Sequence, residues 1–128
     1  MSLKDTLSVM VVDDMSTSRS LITMALDDIG IRNVDFRSDG QTALTALTAR
    51  PVHLVISDYN MPGLDGLQLL HGLRTTRRTQ RIAFILVSGW LDDTIVATGR
   101  ALGVNNFIAK PFNAPQLRKC IEAVVGPL

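Results

Sequence analysis

Polar side chains of the kinds that bind cations and phosphate follow four short apolar runs of this sequence. In each case the polar residues come directly after the apolar run, and this arrangement occurs four times in the 128 residues. The units are 7–12 with Asp13 and Asp14, 53–57 with Asp58, 84–87 with Ser88, and 107–109 with Lys110. If the runs are parallel strands of one sheet, their carboxyl ends share the edge at which open α/β sheets bind ligands. We therefore expect three carboxylates, one hydroxyl and one ammonium group to meet there.

Clustered carboxylates are typical of a site that binds a divalent cation and transfers a phosphoryl group. Asp58 is the candidate nucleophile, because a carboxylate can attack a phosphoryl group and form an acyl phosphate. Carboxylates that repel one another bind a hard cation such as Mg²⁺ through oxygen. We expect Asp14 and Asp58 to bind Mg²⁺, and Asp13 to bind it more loosely through water. The main-chain carbonyl of Asn60 would add another oxygen.

The hydroxyl and ammonium groups suit the phosphoryl oxygens of such a site. Lys110 would pair with one oxygen, and Ser88 would donate a hydrogen bond to another. A cis peptide between Lys110 and Pro111 would aim the lysine into the site. Each piece alone also fits a helix cap or a turn, so the prediction rests on four pieces at the ends of four strands.

The elements that must position these groups alternate between apolar runs and helical patterns five times, which predicts βαβ units and a parallel sheet. The first helix covers Thr17 to Ile29, the third ends near Arg74, the fourth covers Asp92 to Leu102, and the last begins near Ala114. The core-facing stripe predicted for the first helix contains Ile22, Ala25, Leu26 and Ile29, with Leu21 beside them.

The fourth helix is the weakest of the five patterns. It carries Gly99 in its interior, which costs about 1 kcal/mol relative to alanine. We therefore expect it to be the most mobile helix.

Composition narrows the class of protein. The length suits one domain, 1–128, and leaves no room for an output domain. The net charge of +1 gives no strong field for DNA or a membrane surface. A polar N-terminus argues against a signal peptide, and Cys120 as the lone cysteine fits a reducing cytoplasm. The arginines from Arg74 to Arg81 are interpreted as a solvated loop.

These residues resemble the receiver domain of bacterial two-component response regulators over essentially the whole chain. The matching segments are VVDD at 11–14, ISDYNMPGLDG at 56–66, LVSG at 86–89 and AKPF at 109–112. The resemblance implies a flavodoxin-like fold with strand order 2-1-3-4-5 and phosphorylation of Asp58 by a histidine kinase. It also implies that Asp13 and Asp14 hold the metal, that Lys110 pairs with the phosphate, and that Ser88 and Phe107 form the switch.

Within that family the chain is most similar to the single-domain chemotaxis regulators of the CheY type. This implies a regulatory phosphoacceptor rather than an enzyme, a kinase of the CheA type, and a monomer. It further implies that phosphorylation changes the surface of the fourth helix, fifth strand and fifth helix, which would bind a flagellar-motor switch protein.

Three positions depart from that type. Ser88 stands where threonine is typical, Phe107 where tyrosine is frequent, and Trp90 where an acidic residue is frequent. The serine keeps the hydroxyl group, and the phenylalanine loses only the phenol's hydrogen bond. Because the position of Trp90 can control the access of water, we predict that Trp90 changes the lifetime of the phosphoryl group.

Three other functions remain as alternatives. A phosphate sink would take phosphoryl groups from the kinase and lose them without a motor target. A phosphatase of the haloacid dehalogenase type wants a second aspartate at the position of Asn60, so it is less favoured. A flavodoxin wants a phosphate-binding loop where Asp13 and Asp14 would repel the phosphate.

Overall fold

The computed structural model describes residues 2–128, which form five strands that alternate with five helices after a helical turn at Leu3–Thr6. The strands are β1 (Val9–Val12), β2 (Val34–Arg37), β3 (Leu54–Asp58), β4 (Ala83–Ser88) and β5 (Asn106–Ala109). The helices are α1 (Ser16–Ile29), α2 (Gly40–Ala49), α3 (Gly66–Arg74), α4 (Asp93–Leu102) and α5 (Ala114–Val125).

All five strands are parallel and lie in the order β2-β1-β3-β4-β5, which confirms the predicted flavodoxin-like arrangement. β1 and β3 are buried along their whole length, as expected for central strands covered by helices on both faces. The register pairs Asp58 with Val87, and the next residue of β4, Ser88, with Ala109. The carboxyl ends of these strands therefore form one edge.

Helices cover the sheet on two sides because successive strand residues point to opposite faces. Val9 and Val11 pack with α1 and α5, whereas Met10 and Val12 pack with α2 and α3. α4 lies on the same side as α2 and α3 through Ile95 and Leu102.

Side-chain caps start four of the helices at the carboxyl edge of the sheet. Each capping side chain accepts a backbone N–H from the first turn, which satisfies a donor that the helix cannot. The caps are Asp39, Asp65, Asp92 and Asn113, which precede α2, α3, α4 and α5. α1 has no such cap at Met15, whose N–H is instead bound by Asp13 Oδ1 at 3.0 Å.

The predicted stripe of α1 was right in four positions and wrong in the fifth. The four predicted residues from Ile22 to Ile29 are buried, but Leu21 is 62% exposed. A helix turns by about 100° per residue, and this rotation places Leu21 outside the arc that faces the sheet. Leu21 therefore shares the outer surface of α1 with Met24, which is also 62% exposed.

Arg74 was also misplaced, because it is not part of a solvated loop. Its guanidinium group is half-buried, and burial lowers its pKa. It donates hydrogen bonds to the carbonyl oxygens of Gln80, Ile82 and Gly103 and to Asn105 Oδ1. Arg74 thus ties the end of α3 to the starts of β4 and β5, while the other three arginines of the stretch are exposed as predicted.

Cys120 lies on α5. Cys120 is buried, and burial raises the pKa of its thiol to about 11. Its Sγ donates to the Phe107 carbonyl oxygen at 3.6 Å.

Across residues 2–128, no helix has the length and apolar character that crossing a membrane requires.

Candidate functional site

The carboxyl edge of the sheet brings the aspartates and the lysine together. Asp13, Asp14 and Asp58 each offer a carboxylate oxygen, and these oxygens all lie within 4.8 Å of one another. Lys110 Nζ lies 3.2 Å from Asp58 Oδ1 and 3.5 Å from Asp13 Oδ2. The residues predicted at the strand ends therefore form a cluster of three carboxylates in contact with one ammonium group.

Asp58 is a nearly buried carboxylate of the cluster. Its side chain is only 10% exposed. Burial raises the pKa of its carboxyl group, the positive charge of Lys110 opposes that rise, and the negative charge of Asp13 adds to it. The nearby Tyr59 N–H, which donates to the Val87 carbonyl oxygen at 2.9 Å, also lowers this pKa. Additional positive charge at this place would stabilise the ionised, nucleophilic form.

Asp13 is fully buried, yet one of its oxygens has no hydrogen-bond donor. Asp13 Oδ1 accepts from the Met15 N–H, whereas Oδ2 is buried and accepts no hydrogen bond among the described residues, and its ion-pair contact with Lys110 Nζ is 3.5 Å long. An unpartnered buried oxygen is costly unless a cation or a water supplies the missing interaction. Asp14 is exposed, and Asn60 lies in the exposed loop after β3. Such an oxygen set fits Mg²⁺.

Lys110 enters this cluster from the end of β5. Its backbone N–H donates to the Ser88 carbonyl oxygen at 2.9 Å, which fixes the end of β5 against the end of β4. The peptide to Pro111 is cis, the geometry considered in the sequence analysis. Its Nζ donates to Ser18 Oγ at 2.7 Å, a contact that the sequence reasoning did not foresee. Three acceptors thus surround the ammonium group.

The Ser88 hydroxyl group is bonded to its own loop. Ser88 Oγ donates to the Trp90 carbonyl oxygen at 2.8 Å and accepts from the Trp90 N–H at 3.1 Å. The ring of Trp90 is 73% exposed. Ser88 therefore lies at the predicted edge, but its hydroxyl group is engaged by the loop that follows it.

Phe107 is partly buried against α4, and Gly99 explains the fit. A Cβ at Gly99 would lie 2.9 Å from two atoms of the Phe107 ring and 3.1 Å from Val104. The glycine that the sequence suggested as a weakness of α4 is thus a point of close contact with the ring. Gly99 lowers the helix propensity of α4, but the missing side chain leaves room for the Phe107 ring.

Sequence reasoning missed three residues that build the site. Ser18 and Arg19 lie on the first turn of α1, and Arg19 Nη1 donates to the Asp13 carbonyl oxygen at 2.8 Å. Gly66 begins α3 where a Cβ would lie 2.5 Å from the Asp58 carbonyl oxygen. The sequence could have indicated these residues only by their positions. Ser18 and Arg19 follow closely after Asp14, and Gly66 follows the capping residue of α3, so all three lie where helices start at the carboxyl edge.

A comparison with protein families supports this description. The model of the response regulator receiver domain family matches residues 9–122, which includes all the groups of the site.

Curated relatives and solved structures agree. A probable chemotaxis protein CheY of Rhizobium etli is 40% identical over 128 residues, which covers 100% of this chain and 99% of the relative. The chemotaxis protein CheY of Pseudomonas aeruginosa is 34% identical over 119 residues, covering 92% and 95%. A structure of Vibrio cholerae chemotaxis protein CheY4 superposes with a TM-score of 0.86 at 26% identity, covering 92% and 98%.

Proposed function

Because the chain belongs to the response regulator receiver domain family, we propose that Asp58 is its phosphoacceptor in chemotaxis signalling of the CheY type. The phosphoryl donor is a histidine kinase of the CheA type. The observation that carries the proposal is the position of Asp58, which lies next to Lys110 and two further aspartates in the cluster at the carboxyl edge.

In the transfer, a carboxylate oxygen of Asp58 attacks the phosphorus of a phosphohistidine. The new O–P bond forms as the N–P bond breaks, and the imidazole leaves with the electron pair and later takes up a proton. Lys110 is already 3.2 Å from Asp58 Oδ1, so it stabilises the negative charge of the phosphoryl oxygens with little movement. Hydrolysis of the acyl phosphate by water then restores Asp58.

Mg²⁺ is the cofactor that the oxygen set supports. Asp14 and Asp58 would bind the ion, Asp13 would bind it through water, and the Asn60 main-chain carbonyl would add a ligand. The unpartnered Asp13 Oδ2 supports this assignment, since it can accept from a water of the hydration shell. When bound, the ion neutralises charge between the carboxylates and the incoming phosphoryl group.

Ser88 and Phe107 are the proposed switch. The hydroxyl group of Ser88 leaves the Trp90 carbonyl oxygen and donates to the phosphoryl group, which moves the loop after β4. This movement changes the space beside α4 that the Phe107 ring occupies. The surface of α4, β5 and α5 then takes the form that binds a flagellar-motor switch protein. Because kinases of this type draw phosphoryl groups from ATP, the proposed location is the cytoplasm.

Intact mass spectrometry tests the phosphoacceptor directly. The protein is incubated with Mg²⁺ and acetyl phosphate, and we expect the mass of one phosphoryl group to be added. Asp58→Asn should take up none, whereas Asp28→Asn, a change on the exposed outer part of α1, should be labelled like the wild type. Labelling of Asp58→Asn to the wild-type extent would refute the assignment.

Binding to the motor is tested separately. The phosphorylated protein should bind a purified motor switch protein more tightly than the unphosphorylated form does. Rapid phosphoryl uptake from the kinase without any such binding would replace the motor proposal with the phosphate-sink function.

A further inference from the structure

The shortest polar contact of the Lys110 ammonium group is with Ser18, a residue of α1. Ser18 Oγ lies 2.7 Å from Nζ, compared with 3.2 Å for Asp58 Oδ1 and 3.5 Å for Asp13 Oδ2. An ammonium group has three N–H donors and no acceptor. Of the three neighbouring oxygens, the serine oxygen accepts a hydrogen bond, and the two carboxylate oxygens form ion pairs with the ammonium group.

Lysine needs such a contact more than most site residues do. Its ammonium group sits on a flexible four-carbon stem, and the Lys110 side chain is 26% exposed. A charge that stabilises phosphoryl transfer is effective when it is held in place before the reaction. Without the serine, the N–H that now donates to Ser18 Oγ would bond to water instead, and the lysine side chain would be free to move outward.

Ser18 is itself held firmly enough to act as a fixed point. It is the third residue of α1, and the next residue, Arg19, donates to the Asp13 carbonyl oxygen at 2.8 Å. Further along the helix, Ile22 and Leu26 are at most 1% exposed. The hydroxyl group is thus attached to a helix that is fixed at the site by Arg19 and in the core by its apolar side chains.

We propose that Ser18 is a positioning residue for Lys110 in phosphoryl transfer to Asp58, an inference that rests on the function proposed above. With one N–H on the serine, a second faces Asp58 and a third faces Asp13. When Asp58 is phosphorylated, a phosphoryl oxygen takes the N–H that faces Asp58. Lys110 does not need to release Ser18 for this exchange, so the contact guides the lysine before and after transfer.

The first test measures the rate of phosphorylation by acetyl phosphate in Mg²⁺. Ser18→Ala should slow it about tenfold, the factor that corresponds to ~1.4 kcal/mol. Ser18→Thr should restore the rate to within about twofold of wild type on the same scale. It keeps the oxygen, and a surface cavity of about 540 Å³ beside Ser18 has room for the methyl group. Ser20→Ala is the matched control, because Ser20 is an exposed serine of the same helix.

A double-mutant cycle then separates positioning from a general structural effect. If the serine acts through Lys110, Ser18→Ala should cause no further slowing in a Lys110→Ala background. An equal slowing in both backgrounds would show that Ser18 acts by another route, and a wild-type rate for Ser18→Ala would overturn the proposal as well.

A spectroscopic measurement tests the contact without phosphorylation. The chain has three lysines, Lys4, Lys110 and Lys119, so ¹⁵N-lysine labelling gives few side-chain signals, and Lys110→Ala identifies the one of interest. Ser18→Ala should shift the Lys110 ammonium signal, and Ser20→Ala should leave it in place. If the wild type takes up no phosphoryl group, the proposed function fails, and an unchanged signal in Ser18→Ala separately refutes the contact.

Discussion

Ser88 Oγ donates a 2.8 Å hydrogen bond to the Trp90 carbonyl oxygen, and the Trp90 N–H donates back to the same hydroxyl at 3.1 Å. The two residues thus close a small ring of hydrogen bonds in the loop after β4. Ser88 can donate its hydrogen to only one acceptor at a time. Donating to a phosphoryl oxygen would therefore require the hydroxyl group to release the Trp90 carbonyl oxygen, and we expect this release to couple phosphorylation to loop movement.

Ser88→Ala should uncouple phosphorylation from that movement. A two-state change from 1:99 to 99:1 needs about 5.5 kcal/mol, of which a hydrogen bond to a charged group supplies ~1.5–3 kcal/mol. The variant should still be labelled on Asp58, but its ratio of switched to unswitched molecules should fall at least about tenfold. Fluorescence of Trp90, the single tryptophan, reports the change. Ser88→Thr keeps the hydroxyl group and should respond like wild type; a full response in Ser88→Ala would exclude this coupling.

Trp90→Glu should shorten the lifetime of the phosphoryl group. The ring of Trp90 is 73% exposed in the loop beside Ser88, where we expect a bulky apolar group to hinder the approach of water. Phosphate release from the labelled protein, followed over time, gives the lifetime. Trp90→Phe retains an aromatic ring and should stay close to wild type. Equal lifetimes for wild type and Trp90→Glu would show that the ring does not control water access.

Much of the fold could be predicted from the sequence because the strands are buried and the helix starts are capped. Continuous apolar runs in β3 and β4 indicate strands covered on both faces, and their polar ends locate the site. Periodicity was less able to place Leu21, because adjacent positions at the border of a helical stripe differ only by a rotation of about 100°.

The contacts that the sequence did not indicate join residues that are far apart in the chain. Ser18 and Lys110 are separated by 92 positions, and Arg74 bonds Asn105 across 31. Such pairs depend on how α1 and the ends of the strands pack, and side-chain type alone does not specify them. Charge and hydroxyl patterns therefore located the site, whereas the residues that support it became visible only in three dimensions.

Asp58→Asn should raise the free energy of unfolding at neutral pH when Mg²⁺ is chelated. Burial raises the pKa of Asp58 in the folded protein above its ordinary value of 3.8. The folded protein then holds this proton more tightly than the unfolded chain does, so stability falls as the pH rises through the folded pKa. The gain in the variant should disappear below pH 3.8. Urea unfolding at a series of pH values measures it.

Asp39 provides a control, because its pKa is shifted in the opposite direction to that of Asp58. A hydrogen bond from the Thr42 N–H lowers the pKa of Asp39, so its contribution is present above the ordinary carboxyl value and is lost as the pH falls. Asp39→Asn should therefore not raise stability at neutral pH. A gain of the same sign and pH dependence in both variants would contradict the role of burial at Asp58.

Mg²⁺ should stabilise the folded protein through the aspartate cluster. A ligand that binds only the folded state at 100 times its dissociation constant adds about 2.7 kcal/mol. Thermal unfolding with increasing Mg²⁺ should show a rising midpoint for wild type and a much smaller rise for Asp14→Asn. Asp28→Asn, on the exposed outer part of α1, should behave like wild type. The same rise in all three proteins would place the ion elsewhere.

Gly99→Ala should destabilise the protein although alanine favours helices. The added methyl group would lie 2.9 Å from the Phe107 ring, closer than carbon atoms normally approach. Overpacking of this kind costs about 1–3 kcal/mol, and any cost above the lower end of that range outweighs the ~1 kcal/mol that the helix gains. In a Phe107→Leu background the ring is absent, so the cost of Gly99→Ala measured by urea unfolding should fall. An equal cost in both backgrounds would show that the ring is not the obstacle, and that Val104, 3.1 Å from the same methyl position, sets the limit.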